Sequence, residues 1–236
     1  MIYSKTKKLF FGKYLYKYEI YNSLTQLFYN DVIKRFDETI VLYEKQLLDQ
    51  KKNGVLVPTL KFNNGYRYRV IDDYIIDQIK QIKNLLVEYK NEFRSRVEYN
   101  SLFIYTNNEQ LIDKLEANTF ADSRATIYKP DNRAIGLMTE NKEVYVVDKP
   151  SEYEYRLTVS GKPKNSEEIA RWLENNSEKI KASAIAINGF KRGYWLSSLI
   201  FYARDEKILT LAQIMLSDSL QKVEKIVYVE DIAAKG

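Results

Sequence analysis

Cysteine and histidine are both absent from this 236-residue chain. Without cysteine there is no disulfide, no thiolate nucleophile and no Cys-based metal site, a usage that fits a cytoplasmic protein. Without histidine there is no Ser-His-Asp triad, no imidazole base and no His-ligated metal. The tyrosine nucleases of rolling-circle replication, which hold their metal through His, are thereby excluded. Any catalysis would fall to Asp, Glu, Lys, Arg, Tyr or Ser, so the reading leans away from an enzyme and expects no cofactor or metal. No apolar run approaches the ~20 residues of a membrane span. The N-terminus carries lysines but lacks the apolar core of a secretory signal, so no membrane partner is expected.

What is present is a globular composition, 45% apolar and 29% charged, long enough for one large domain or two smaller ones. Thirty-seven basic against 32 acidic residues leave a mild excess of +5. The excess is uneven: Lys5, Lys7, Lys8, Lys13 and Lys17 all precede the first acid, Glu19. Residues 1 to 12 read as a basic arm, either solvated or in contact with a polyanion. Twenty tyrosines, with Asn, Lys and Ile abundant, suggest the AT-rich genome of a phage or small virus, which would place the protein in a host cytoplasm.

One stretch occurs twice. Ser198-Leu-Ile-Phe-Tyr-Ala-Arg-Asp-Glu-Lys-Ile-Leu209 echoes Ser101-Leu-Phe-Ile-Tyr-Thr-Asn-Asn-Glu-Gln-Leu-Ile112. Each copy is an apolar run that meets a polar pair and a helix-capping residue and continues with helical spacing, so each predicts strand, tight turn and helix. A second echo precedes the first in the same order: Lys13 to Tyr21 and Glu152 to Ser160 share Tyr-x-Tyr-[Lys/Arg] followed by alternating apolar residues. In the second half the remaining elements follow. They are a helix from Asn165 carrying Ile169, Trp172 and Leu173, a strand over Ile180 to Asn188, and a Gly189-to-Gly193 loop. A strand over Tyr194 to Tyr202, a helix capped by Asp205 and a last strand over Val223 to Val229 complete it. That order, βαββαβ, is the split-βαβ arrangement of ferredoxin-like folds. The expectation is an α+β protein of two tandem ferredoxin-like units, residues 1–150 and 151–236.

The first unit carries extra chain at about 24–93. Tyr29, Ile33, Phe36, Ile40, Tyr43 and Leu47 step by fours and threes, as do Ile75, Ile79, Ile82, Leu86, Tyr89 and Phe93; these are coiled-coil-like seams. Between them, Val55 to Phe62 and Tyr66 to Val70 flank Asn64-Gly65, a hairpin-turn signal. A helical pair with a β-hairpin near its tip follows, serving as core or as an arm for a protein partner or a second copy. Pro130 and Pro150 bracket a segment, 131–149, that reads as a linker hairpin.

Two basic-aromatic clusters stand out as single-strand contacts, because arginine meets phosphate and aromatic rings stack on bases. One is Tyr66-Arg67-Tyr68-Arg69, where alternation puts tyrosines on one face and arginines on the other; the other is Phe190-Lys191-Arg192-Gly193-Tyr194. Arg192-Gly193-Tyr194 matches the opening of the third-strand signature of RNA-recognition motifs, while Trp195, Leu196, Ser197 and Leu199 depart from it. The chain thus resembles that family in topology and in three residues. The resemblance implies an open sheet face that binds RNA through stacking aromatics. Tyr153, Tyr155, Leu157 and Val159 share one face of their strand, leaving Glu152, Glu154, Arg156 and Thr158 on the other. Asp72, Asp73 and Asp77 read as charges at a helix N-terminus, not metal ligands. Gly161-Lys162 lacks the spacing of a phosphate loop. The leading expectation is a non-enzymatic binder of single-stranded RNA or DNA, using Lys5, Lys7, Lys8, Tyr66, Arg67, Tyr68, Arg69, Lys191, Arg192 and Tyr194. Alternatives are a self-assembly module using the helical arm and a His-free nuclease using Lys191 or Tyr194.

Overall fold

A computed structural model of the chain describes residues 1–28, 36–55, 59–61, 67–69, 74–119 and 124–233. Mixed α and β structure forms two compact units, Met1–Thr6 with Phe10–Pro130, and Lys7–Leu9 with Asp131–Gly236. Each unit has its own five-stranded sheet.

The first sheet contains β1 (Ile2–Thr6), β2 (Tyr16–Tyr21), β5 (Phe93–Glu98), β6 (Ser101–Thr106) and β7 (Arg124–Pro130), hydrogen-bonded in the order β1-β7-β2-β6-β5. β1 is parallel to β7 and the other pairings are antiparallel. The alternation of β2 fixes its register: Tyr16, Tyr18 and Ile20 are buried, whereas Lys17, Glu19 and Tyr21 face the other way. On the same inner face, Leu102, Ile104, Ala125 and Ile127 meet Leu111, Ile112 and Leu115 of α3 (Glu109–Ala117). Asn108 caps α3 by accepting from the Leu111 amide at 3.3 Å.

Chain expected as a basic arm is largely structured. Ile2 to Thr6 is a strand because it adds to the edge of β7, and Tyr3 Oη donates to Glu116 of α3 at 2.5 Å.

The added chain of this unit holds a 3-10 turn (Ser23–Phe28), α1 (Phe36–Lys52), a hairpin of β3 (Thr59–Lys61) with β4 (Arg67–Arg69), and α2 (Tyr74–Glu88). In the hairpin Leu60 is paired with Tyr68. Phe36, Ile40, Tyr43 and Leu47 are buried along α1, and Ile79, Ile82 and Leu86 along α2, so these parts of the two stripes are core. Asp37–Lys83 and Glu44–Lys80 ion pairs at 3.1 and 2.5 Å set the helices antiparallel. The second stripe stops short of its expected end, because Phe93 belongs to β5. Tyr29, Ile33, the Asn64-Gly65 turn, Asp72 and Asp73 lie outside the described residues.

The second sheet runs β10-β11-β9-β12-β8, from β8 (Val144–Val147), β9 (Tyr155–Gly161), β10 (Ile180–Lys181), β11 (Leu196–Ala203) and β12 (Leu220–Tyr228). Its order repeats that of the first sheet. In each, a leading strand lies parallel to the last strand, and the last strand in turn flanks the first strand of the repeat. Leu157, Val159, Phe201 and Ala203 form the inner face of this sheet, under α5 (Ser166–Asn175), α6 (Ala184–Lys191) and α7 (Glu206–Met215). Asp205 caps α7 through the Ile208 amide at 2.9 Å, whereas Asn165 stands before α5 without a side-chain cap bond.

Two expectations for this half change. The strand over Ile180 to Asn188 ends after two residues and becomes α6. Ser183 caps that helix through the Ala186 amide at 3.2 Å, and Ala186 and Phe190, one turn apart, fill the core. The segment after Pro130 is not a linker hairpin. It forms a 3-10 turn (Asn132–Ala134), α4 (Ile135–Glu140) and β8, whose parallel pairing with β12 places it in the second unit. The boundary therefore lies at Pro130 and not at Pro150. A last short helix, α8 (Val229–Ala233), follows β12. Among the described residues no helix is long and apolar enough to cross a membrane.

Candidate nucleic-acid interface

The corner between α6 and β11 is built by backbone geometry. α6 ends at Arg192, and Gly193 follows in the left-handed region at φ 62. The Gly193 amide donates to Phe190 O and the Tyr194 amide to Gly189 O, both at 3.0 Å, which is the Schellman pattern of helix termination. At position 189 a Cβ would lie 2.8 Å from Leu196 Cδ2, so any larger residue there would have to displace that buried side chain. β11 then carries a bulge against β9: Leu196 is opposite Gly161 but Leu199 is opposite Val159, and Ser198 sits at φ 49. The extra residue returns Leu196 to the core side with Phe201.

Turn and bulge together leave large side chains in water. Ile185 is 80% exposed, Tyr194 56% and Trp195 75%, and all three line an open cavity of about 350 Å³ with Asn188, Arg192 and Leu199. That volume is within the range of small-ligand sites. The Arg192 guanidinium lies 5.9 Å from the centre of the Tyr194 ring. One cation and no carboxylate line the cavity. Such a surface offers flat apolar faces and a positive charge, which suits a planar group attached to an anion.

The helix-free faces of the two sheets differ at one equivalent position. Lys17 on β2 and Arg156 on β9 occupy the same place in the Tyr-x-Tyr-[Lys/Arg] echo, and each lies between the last and third strands of its repeat. Lys17 is caged by rings, with Nζ 3.7 Å from the Tyr128 centre, 5.3 Å from Phe103 and 5.6 Å from Phe10, and it pairs with Glu19 at 3.0 Å. The turn from Phe10 to Tyr14 folds over Tyr105, placing Phe10 and Phe11 at 5.6 and 4.8 Å from its ring. Burial pushes the Tyr105 phenol above its usual pKa. This part of the face is closed by the chain itself.

Across from Arg156 the partner is a carboxylate. Glu224 on β12 is fully buried and receives Arg156 Nη1, Lys222 Nζ at 2.7 Å and Lys8 Nζ at 3.0 Å. Burial alone would raise its pKa. The hydrogen bonds from Lys222 and Lys8, with the charges of Lys8 and Arg156, overcome that and hold it below the ordinary carboxylate value. Lys8 is shifted down, first by its own burial and further by the charge of Arg156, against the opposing pull of Glu224. Arg156 also lies over Tyr145 at 4.7 Å, and Lys7 approaches the same ring at 5.9 Å.

The residues singled out from sequence are thus dispersed. Arg192 and Tyr194 come together, but Tyr194 precedes β11 and sits in the turn, not on a sheet face. Lys191 is engaged with Glu174 of α5 at 2.6 Å. Lys5 is exposed on β1 in the first unit, while Lys7 and Lys8 belong to the second. Arg67, Tyr68 and Arg69 form β4, and Tyr66 lies outside the described residues. Missed from sequence were Trp195, set aside as a departure from the RNA-recognition signature, and Ile185, read as part of a strand. Arg156 was legible in the echo; its partner Glu224, and Lys222 on the same carboxylate, were not. Among the described residues no three His, Cys, Asp or Glu side chains are gathered as metal ligands would be. No protein-family model matches the sequence, and no curated protein matches it.

Proposed function

We propose that the protein binds single-stranded RNA or DNA without cleaving it, with bases stacking on Tyr194 and Trp195 and phosphate meeting Arg192. The carrying observation is the Tyr194–Trp195 pair, exposed side by side at the rim of an acid-free cavity beside an arginine. Clustered exposed aromatic surface on a globular protein marks an interaction site, and aromatic rings accept any base, each stacked base contributing about 1–3 kcal/mol. The net charge of +5 favours a polyanion in the same sense. The fold reading that accompanies this is of two ferredoxin-like units, each extended by a parallel edge strand. It is supported by the repeated strand order, with α6 as an additional helix in the second unit.

Fluorescence anisotropy of labelled 20-mers tests the proposal. Binding is expected at low salt and should weaken steeply as salt rises, because condensed counterions are released. No binding of RNA or DNA single strands at low salt would overturn it.

A second reading, self-assembly through the helical arm, is favoured by one observation. α1 leaves Val41, Leu42 and Leu48 at 64%, 50% and 53% exposure on the side away from its buried stripe. Light scattering across a concentration series separates the two readings: a monomer at high concentration removes self-assembly.

A further inference from the structure

The helix-free face of the second sheet holds more positive charge than its structure needs. One carboxylate, Glu224, is surrounded by three cations, Lys8, Arg156 and Lys222, so that among the described residues the cluster carries two more positive charges than negative. A buried carboxylate is satisfied by one good cation and a few hydrogen bonds; two more like charges at the same point repel each other. Lys8 is shifted down chiefly by its own burial, against its hydrogen bond to Glu224, and the charges of Arg156 and Lys222 add to the lowering.

The three cations are held differently. Arg156 is only 12% exposed and is fixed between Glu224 and the Tyr145 ring. Lys8 and Lys222 keep 36% and 38% of their side chains in solvent. Each ammonium has three donors; Lys222 also reaches the Lys142 carbonyl at 3.5 Å, and both lysines keep a donor to turn outward while still bonded to Glu224. Lys8 is delivered by its own backbone, since Lys7 O accepts the Val146 amide of β8 at 2.7 Å and fixes the segment beside the sheet.

We infer that Lys8, Arg156 and Lys222, oriented by Glu224 over Tyr145, form a phosphate-binding site. Two solvent-facing ammonium groups beside a fixed guanidinium suit a tetrahedral oxyanion with one or two charges. Glu224 acts as a positioning residue, keeping three mutually repelling cations in one place before the anion arrives. The site is separate from the Tyr194 corner and does not depend on the binding reading given above. Its ligand is a phosphate group, either a soluble phosphate compound or the backbone of a nucleic acid.

The test is calorimetric titration of the full chain with pyrophosphate, at constant ionic strength with chloride as the control. Saturable pyrophosphate binding is expected, weakened about tenfold or more in Lys222→Gln and in Lys8→Gln, since a charge-assisted hydrogen bond is lost in each. Tyr194→Ala and Trp195→Ala should leave it unchanged. Both lysines are partly solvent-facing, so the Gln variants should fold, which circular dichroism verifies; if one does not, Lys→Arg at that position must retain binding. Displacement of pyrophosphate by an oligonucleotide identifies the nucleic-acid backbone as the source, and binding without displacement identifies a soluble phosphate compound. Loss of oligonucleotide binding in Trp195→Ala with pyrophosphate binding intact would leave this site standing by itself. No saturable binding above the chloride control, or Gln variants that bind as tightly as the parent, would overturn the inference.

Discussion

Replacing Glu224 by glutamine keeps the side chain's shape and removes the one negative charge among Lys8, Arg156 and Lys222. Breaking a buried ion pair by removing one partner costs about 3–5 kcal/mol. Here Lys8 and Lys222, each more than a third exposed, can swing into water, whereas Arg156 at 12% exposure cannot. The cost should therefore fall at the low end, about 3 kcal/mol, which for a unit of ~100 residues lowers the melting temperature by about 12–24 °C. Thermal and urea unfolding at pH 7 measure this directly. The pH dependence adds a second signature. A carboxylate whose folded pKa lies below its unfolded value stabilises the fold fully above the unfolded value, and that stability is lost as pH falls through the folded pKa. The parent should thus lose its advantage over Glu224→Gln on acidification below about 4.5, the usual range for Glu. In a double-mutant cycle, Glu224→Leu with Arg156→Leu should cost well under the sum of the single changes. A Glu224→Gln cost below about 0.5 kcal/mol, or additive single costs, would refute the picture of a coupled buried cluster.

Other consequences are independent of that cluster. Tyr18 is buried beneath the first sheet with its hydroxyl 2.6 Å from Thr119 Oγ1, and burial pushes its pKa up to about 12. Because the folded value exceeds the unfolded one, stability is intact below about pH 10. Its contribution of roughly 2–3 kcal/mol should then be lost towards pH 12, and Tyr18→Phe should make the alkaline unfolding slope shallower by that amount while other phenols raised by burial, such as Tyr105, keep theirs. Ser198 at φ 49 pays for the bulge in β11, so Ser198→Gly should stabilise the second unit by about 0.5–1 kcal/mol in urea unfolding; a destabilised variant would contradict the strain. Val41→Glu with Leu48→Glu on the exposed side of α1 should leave melting within about 1 kcal/mol of the parent while abolishing any self-association seen by light scattering.

Much of the fold was legible because its signals are local. Tyr16, Tyr18 and Ile20 alternate with polar neighbours, Asp205 and Asn108 cap their helices, and the two echoes identify corresponding strands in the two sheets. Where the reading departed from the structure, tertiary contacts decided the outcome. Ala184 to Ile187 alternates like a strand, yet the Ser183 cap and the burial of Phe190 make it a helix. Ile2 to Thr6 is an edge strand with most side chains in solvent, so it shows little apolar pattern. Lys8 was noticed only as part of a basic arm, because its partner Glu224 is 216 residues away and no spacing rule connects them. At the corner, Arg192 and Tyr194 were found from their types. The exposure of Trp195 follows a left-handed glycine and a strand bulge that composition does not reveal, and that of Ile185 follows from α6 standing where a strand was expected.

The proposed single-strand binding turns on Trp195 stacking on a base. The chain has two tryptophans, and Trp172 is partly buried against the core of the second unit, so Trp172→Phe leaves Trp195 as the single reporter. Titrating that variant with an unlabelled single-stranded 20-mer at low salt should quench Trp195 emission along the same saturation curve that anisotropy gives. Tyr194→Ala in the same background should weaken the affinity by about tenfold, the lower range for one lost stacking contact. Trp195 emission that stays unchanged while the oligonucleotide binds, or no binding at all, would contradict the account.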